Sequence, residues 1–170
     1  MSRVSVALAS LLAAQAATAG PIAQEFRGGY DGIAWGTTLT AVVGALPGGD
    51  HYFSSEPGTR MYSVRNDAPL FGIPREGMKV QYCFSAAGGV DNISIRLAYE
   101  EREALLGTLI TLFGPYNRVM EKDSAISYVW PWDHEISISV RASREPTNGI
   151  LEFWIHHHDP DPHDRAPSRN

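Results

Sequence analysis

The sequence predicts an α+β fold, a single antiparallel sheet of about seven strands with two helices packed on one face. Three observations support this prediction. Short runs of alternating apolar and polar residues are typical of strands with one face in water, and residues 136–141 are the clearest example. Turn-forming residues such as Gly88-Gly89 separate neighbouring runs, which favours antiparallel hairpins. Two other stretches space their apolar residues at helical intervals, and helices on a meandering sheet gather on one of its faces.

Each predicted helix begins one half of the chain. In residues 39–46, apolar side chains recur at i, i+3, i+4 and i+7, and a preceding threonine can cap the helix. The second helix spans residues 99–113, with glutamates in its first turn, where they favour the positive end of the helix dipole. It ends at Gly114-Pro115. Because strands joined by tight turns follow each helix, an ancient duplication is one explanation of this order.

The predicted strands form two groups, one after each helix. Residues 66–77 contain two prolines and two glycines and are predicted to form a loop. The sequence leaves open whether this loop covers the free face of the sheet. The order is therefore helix, four strands, helix, three strands, with strands at residues 51–54, 60–65, 78–85 and 90–98 and then at 125–132, 135–141 and 149–156.

The N-terminal residues 1–19 have the three parts of a secretory signal peptide. Arg3 precedes an apolar run at 4–14, and Ala17-Thr18-Ala19 supplies small residues before a cleavage site. The run is too short to span a membrane, which takes about 20 helical residues, and no cysteine stands directly after the cleavage site to carry a lipid anchor. We therefore expect an exported protein, periplasmic or secreted, with a signal peptide at 1–19, a single α+β domain at 20–156 and a disordered His/Asp/Pro tail at 157–170.

The composition argues against some partners. The formal net charge is −5 at pH 7, so the chain repels phosphate backbones and nucleic acid is not an expected partner. The lone Cys83 cannot form an intramolecular disulfide, and its apolar, strand-like surroundings predict a buried thiol. Arginine greatly outnumbers lysine and alanine is abundant, which is typical of a GC-rich bacterial genome.

The C-terminal tail is the segment richest in candidate metal ligands. The imidazoles of His156, His157, His158 and His163, with the aspartates around them, are ligand types for zinc, nickel or copper. Adjacent histidines on a flexible chain do not form a preorganised site, so weak adventitious binding is the alternative.

Three aromatic residues, Tyr128, Trp132 and Trp154, are candidates for a binding surface, because aromatic side chains supply large contact area at low entropic cost. Tyr128, Trp130 and Trp132 are predicted to share one face of a strand, and the core would hold them equally well. Trp132 lies nearest a turn and is the best candidate for exposure. If Trp132 or Trp154 lies on the wet face of the sheet, a binding protein is favoured over a scaffold.

The sequence contains no recognisable catalytic motif. His51 and His134 adjoin carboxylates, but neighbours along a strand point to opposite faces, and no nucleophile accompanies them. The glycine pairs lack the lysine and the spacing of a phosphate-binding loop. We therefore expect no enzymatic activity and no cofactor.

Several short motifs resemble a group of small exported bacterial proteins of unassigned function. They are Phe26 with the stretch GIAWGTTL at 32–39, the segment 82–84 before a Gly-Gly turn, Leu109 with the segment LFGP at 112–115, and Trp130. The order of helices and meanders also resembles the layout of beta-lactamase inhibitor proteins and of small outer-membrane assembly proteins. This second likeness is one of architecture, which does not carry function with it.

These features predict a non-enzymatic exported protein that presents one face of its sheet to an envelope protein or a small ligand. The alternative from another class is an envelope metal-binding protein that uses the histidine-rich tail.

Overall fold

The structure, a computed structural model, describes residues 20–53, 60–122, 124–145 and 149–158. The predicted signal peptide, Ser54 of the first predicted strand and the tail from residue 159 onward lie outside these ranges. Within the described part, the helices are α1 (Pro21–Phe26), α2 (Leu39–Ala45) and α3 (Arg102–Phe113), and a 3-10 turn at Tyr99–Glu101 leads into α3. The strands are β1 (Asp50–Phe53), β2 (Arg60–Arg65), β3 (Lys79–Phe84), β4 (Val90–Leu97), β5 (Arg118–Lys122), β6 (Ala125–Val129), β7 (Ile136–Ser143) and β8 (Leu151–His157).

All these strands belong to one antiparallel sheet with the order β1-β2-β3-β4-β8-β7-β6-β5. Strands β1 to β4 form one meander after α2, and β5 to β8 form a second meander after α3. The two meanders meet at the pairing of β4 with β8, which runs from Asn92 opposite His156 to Leu97 opposite Leu151. After α1, the described residues therefore form two units, each a helix followed by four strands, joined through their last strands.

The predicted α+β class with antiparallel pairing is confirmed, but the strand count and the helix order were wrong. The described sheet has eight strands instead of seven, because β5 was missed. Every residue of β5 is exposed on this edge strand, so it has no alternation of apolar and polar residues to detect. Helix α1 was missed because six residues, starting with Pro21, are too few to show a helical period.

One face of the sheet, the helix-side face, forms the core. Helix α1 contributes Phe26, whose ring centroid lies 6.0 Å from that of Phe113 at the end of α3 and 5.9 Å from that of Phe153 on β8. Val42 of α2 is also fully buried. Because side chains alternate along each strand, every second residue of the central strands joins this core. These residues are Val80, Tyr82, Phe84, Ile93, Ile95, Leu97, Ile138, Val140, Ala142, Leu151, Phe153 and Ile155.

The loop at residues 66–77 packs on the helix-side face. Leu70 and Ile73 are buried in the core, and the ring of Phe71 lies 6.1 Å from that of Phe153. Arg75 is 1% exposed, and its Nε donates a hydrogen bond of 3.1 Å to the carbonyl oxygen of Arg96. The loop and the helices therefore lie on the same side of the sheet, which answers the question that the sequence left open.

In the described ranges, no helix combines the length and the apolar character that crossing a membrane requires.

Candidate binding face

The second face of the sheet, which we call the open face, consists of the strand residues that point away from the helices. Strand β8 shows the alternation directly, because Phe153 and Ile155 are fully buried in the core while Trp154 and His156 are only partly covered. In the pairing register, Trp154 lies between Ser94 of β4 and Ser139 of β7. The open face is therefore polar at most positions and carries aromatic rings along β8.

Four rings on this face form a continuous row, which we call the ring row: Trp154, His156, His158 and Trp132. The centroids of Trp154 and His156 are 5.8 Å apart with planes 7° from parallel, and those of His156 and His158 are 6.2 Å apart. Trp132 stacks on His158 at 3.9 Å. At 65% exposure, Trp132 is the most exposed ring of the row. A solvent-facing aromatic surface therefore continues from the sheet to its rim.

A tight turn places Trp132 on this side. Strand β6 ends at Val129, and the backbones of Asp133 and Ile136 exchange two hydrogen bonds of 2.9 and 3.1 Å. Within that turn His134 adopts a positive φ of 55°. The backbone of His158 donates a hydrogen bond of 2.7 Å to the carbonyl oxygen of Glu135, which holds the end of β8 beside the turn.

The ring row borders a shallow concavity of about 230 Å³. Its lining combines apolar side chains from β5 and β6 with serine hydroxyls from β7, so it can accept an apolar group and offer hydrogen bonds at its rim. The residues that line it are Met120, Val129, Trp132, Ser137, Ile138, Ser139, His156 and His158.

Both strand-end histidines of the ring row favour the neutral form. Burial, together with the charge of His158, lowers the pKa of His156 to about 4. Burial, followed by the charge of His157, also lowers the pKa of His158. The Nδ1 atom of His156 lies 2.5 Å from Oδ1 of Asn92, and the Nε2 atom of His158 lies 3.0 Å from the hydroxyl of Ser137. At neutral pH the rings therefore present uncharged aromatic surfaces.

A row of charged residues crosses the open face at the other end of β8, and we call it the basic row. The carboxylate of Glu152 lies 3.4 Å from Nε of Arg96 and 4.0 Å from Nη1 of Arg141, and it accepts a hydrogen bond of 3.2 Å from Nε1 of Trp154. Val80 pairs with Ile95, which places Lys79 beside Arg96, and Arg65 lies opposite Lys79. The basic row is thus Arg65, Lys79, Arg96, Glu152 and Arg141.

Of the aromatic candidates, Trp132 and Trp154 belong to the ring row and Tyr128 does not. Tyr128 is 8% exposed on the helix side, where its hydroxyl accepts a hydrogen bond of 2.6 Å from Arg102. Trp130 is fully buried and donates from Nε1 to the carbonyl oxygen of Gly114 at 2.7 Å. The prediction that Tyr128, Trp130 and Trp132 share one face was wrong for Trp132, because the regular strand ends at Val129 and Trp132 stacks on His158 instead of entering the core.

The histidines of the predicted metal site are divided between the two sides of the sheet. His156 and His158 lie on the open face, whereas His157 is the last residue of β8 and stacks on Trp35 with centroids 5.2 Å apart. Its Nε2 is 3.6 Å from a carboxylate oxygen of Glu135. His163 lies outside the described residues. In the part of the chain that the structure covers, no three His, Cys, Asp or Glu side chains cluster closely enough to hold a metal ion.

A larger cleft of about 500 Å³ lies around the stacked pair of Trp35 and His157. Asp91 contributes a carboxylate to it, and burial raises the pKa of this group. Two glycines and Ala87 form much of the rest of the lining, so few side chains converge there to select a ligand. We therefore take the ring row and its concavity as the candidate site.

Sequence reasoning missed the concavity residues Met120, Ser137 and Ser139 and the whole basic row. Met120 is on the strand that was not predicted, and it reaches the site because β5 pairs with β6. The serines carry a weak signal, since they alternate with apolar residues on a predicted strand and so mark its polar face. The basic row depends on a register between distant strands that no local pattern specifies.

No known protein family, curated protein or solved structure matches this chain.

Proposed function

We propose that this chain is a non-enzymatic exported protein, periplasmic or secreted, whose open face binds an acidic segment of another envelope protein. The observation that carries this proposal is Trp132, an exposed indole stacked on His158 at the end of the ring row. The proposed export depends on the sequence of residues 1–19, and the proposed binding depends on the open face.

The ring row has the properties of an interface anchor. Tryptophan is enriched among the residues that dominate binding energy at protein interfaces. The indole of Trp132 is already held against His158, so a partner that packs on it immobilises few additional bonds. The concavity beside it can take one apolar side chain of the partner, while Ser137 and Ser139 supply hydroxyl groups at its edge.

The charge of the open face points to an acidic partner. The chain as a whole has a net charge of −5, yet cations outnumber carboxylates among the described strand residues of this face. Complementary charge speeds association and selects among partners. The cations are Arg65, Lys79, Arg96, Arg118, Lys122 and Arg141, and the carboxylates are Asp50 and Glu152.

The proposal is tested by comparing variants as baits in an envelope extract. Wild-type protein and the Phe53→Ala variant should retain the same acidic protein, because Phe53 is 82% exposed but lies on edge strand β1, at the opposite edge of the sheet from β5. Trp132→Ala should bind the purified partner about tenfold more weakly or worse. Arg141→Glu should also weaken binding, and added salt should reduce the effect of that charge change.

A thermal melt of each variant controls for folding, since removing an exposed indole should leave the melting temperature nearly unchanged. Retention of the same proteins by wild type and by Trp132→Ala would overturn the proposal, and so would the absence of any protein retained by the folded wild type.

A second candidate function is metal binding by His156, His157, His158 and His163. The observation that favours it is the placement of His156 and His158 on one face with ring centroids 6.2 Å apart. Two imidazoles supply only half of a tetrahedral zinc site. This arrangement therefore supports weak binding better than a dedicated metal centre.

A further inference from the structure

The carboxylate of Asp133 binds the backbone at the start of α1, more than one hundred residues earlier in the chain. Its Oδ1 accepts a hydrogen bond of 3.0 Å from the nitrogen of Gly20, and its Oδ2 accepts one of 2.8 Å from the nitrogen of Ala23. Asp133 is itself held by its two backbone hydrogen bonds with Ile136. Gly20 is also the residue that follows the predicted cleavage site.

The Asp133 carboxylate lies against the backbone of Gly20, where a larger residue would displace it. A Cβ atom built on Gly20 would lie 2.5 Å from Oδ2 of Asp133, which is far inside the contact distance of real side chains. The next residue, Pro21, has no N–H group to offer. The carboxylate is therefore directed at the nitrogen atom that cleavage after Ala19 would release.

We propose that cleavage between Ala19 and Gly20 converts this hydrogen bond into an ion pair between the new N-terminal ammonium and Asp133. Hydrolysis consumes one water molecule, breaks the peptide bond, leaves a carboxylate on Ala19 and releases an amine on Gly20. Model α-amino groups have a pKa of about 8, so this amine takes up a proton at neutral pH. This inference rests on the proposed export and is independent of the proposed binding face.

The ion pair would have a defined effect on α1. An unpaired positive charge at a helix N-terminus is unfavourable, because the helix dipole has its positive end there. With Asp133 in contact, the same charge becomes stabilising. Helix α1 carries Phe26 into the core, and Asp133 directly follows Trp132. Signal-peptide cleavage would thus bind the mature N-terminus to the turn next to the exposed indole of Trp132.

The experiment compares two chains that differ by one residue, 20–170 with a free Gly20 and 19–170 with Ala19 retained. Both keep the Gly20 nitrogen in place, but only the first has a charge on it. We expect the melting temperature of 20–170 to be about 2–4 °C higher at neutral pH. In the Asp133→Asn background, which keeps an acceptor oxygen, the difference should vanish or reverse sign.

Glu135→Gln serves as the matched control, because it removes a carboxylate from the same turn without a contact to Gly20. In that background the difference between the two chains should persist. Equal melting temperatures for the two wild-type chains would overturn the proposal, as would a difference that Asp133→Asn leaves unchanged.

The mass of the protein isolated from the cell envelope separates this inference from the function on which it rests. A chain that begins at Gly20 supports both. An exported chain that begins elsewhere overturns the ion pair and leaves export and the binding face standing. An uncleaved chain found only in the cytoplasm overturns the proposed export and this inference together.

Discussion

The helix-side face and the open face are built from the same strands, and β8 shows how differently the two are used. Phe153 and Ile155 have no exposed surface and pack under the helices and the loop at 66–77. Between them, Trp154 points the other way and is only partly covered by its own neighbours. The helix-side face therefore provides the burial that stabilises the fold, whereas residues of the open face can be substituted at little cost in stability.

The open face is nevertheless not a plain solvated surface. Ser94 has no exposed surface, although it points away from the core, and its hydroxyl has no hydrogen-bond partner among the described residues. The carboxylate of Glu152 is also nearly buried, between Arg96 and Arg141. Large side chains thus shield the middle of this face, and the exposed rings are concentrated toward Trp132. The middle of the open face is therefore covered by its own side chains, whereas the surface around Trp132 is accessible.

The difference in stability between the two faces is tested most directly by removing one aromatic ring from each face of β8. We expect Phe153→Ala to lower the free energy of unfolding by about 3–5 kcal/mol, because it leaves a cavity between Phe26 and Phe71. Trp154→Ala should cost about 1 kcal/mol, since its ring is already partly in water. Urea denaturation measures both values. Equal losses in the free energy of unfolding would mean that the open face is a second core. Phe153→Leu, which keeps most of the apolar volume, controls for loss of the aromatic ring alone.

A pH series tests the uncharged state of the ring row. Because the folded-state pKa of His156 is about 4 and the ordinary value is 6.5, the unfolded chain binds more protons between these pH values. The free energy of unfolding should therefore be highest above pH 6.5 and fall as the pH drops toward 4, by at most about 3 kcal/mol from this residue.

His156→Gln should reduce that decline, as measured by urea denaturation at pH 7 and pH 4.5. His51→Gln is the control, because His51 lies on edge strand β1, away from the ring row. A decline of the same size in His156→Gln and wild type would show that His156 is not held neutral by the fold.

The smallest expected effect concerns zinc and distinguishes the two sides of the end of β8. Submillimolar zinc should raise the melting temperature by only about 1 °C, as expected for weak binding. His158→Ala should abolish this shift, whereas His157→Ala should leave it unchanged, because His157 points away from the open face. A shift of many degrees, or one that requires His157, would instead favour the dedicated metal-binding function.

Local patterns accounted for the strands whose two faces differ chemically, and for α3. The alternation in residues 136–141 marked β7, and the apolar spacing in residues 99–113 marked α3. Strand β5 escaped because an edge strand exposed on both sides has no such contrast. Of the site, the sequence singled out Trp132 and Trp154 as aromatic candidates and His156 and His158 as metal ligands, whereas Met120 and the serines are brought to it by strand pairing.

The sequence by itself determined the α+β class, the antiparallel meanders and the presence of aromatic and histidine residues late in the chain, because short-range periodicity encodes which side of an element meets water. Only the tertiary structure decided that Tyr128 is buried while Trp132 is exposed, that His157 is separated from His156 and His158, and that Asp133 meets Gly20. These outcomes depend on where strands end and which strands pair, and both are set by packing between residues far apart in the chain.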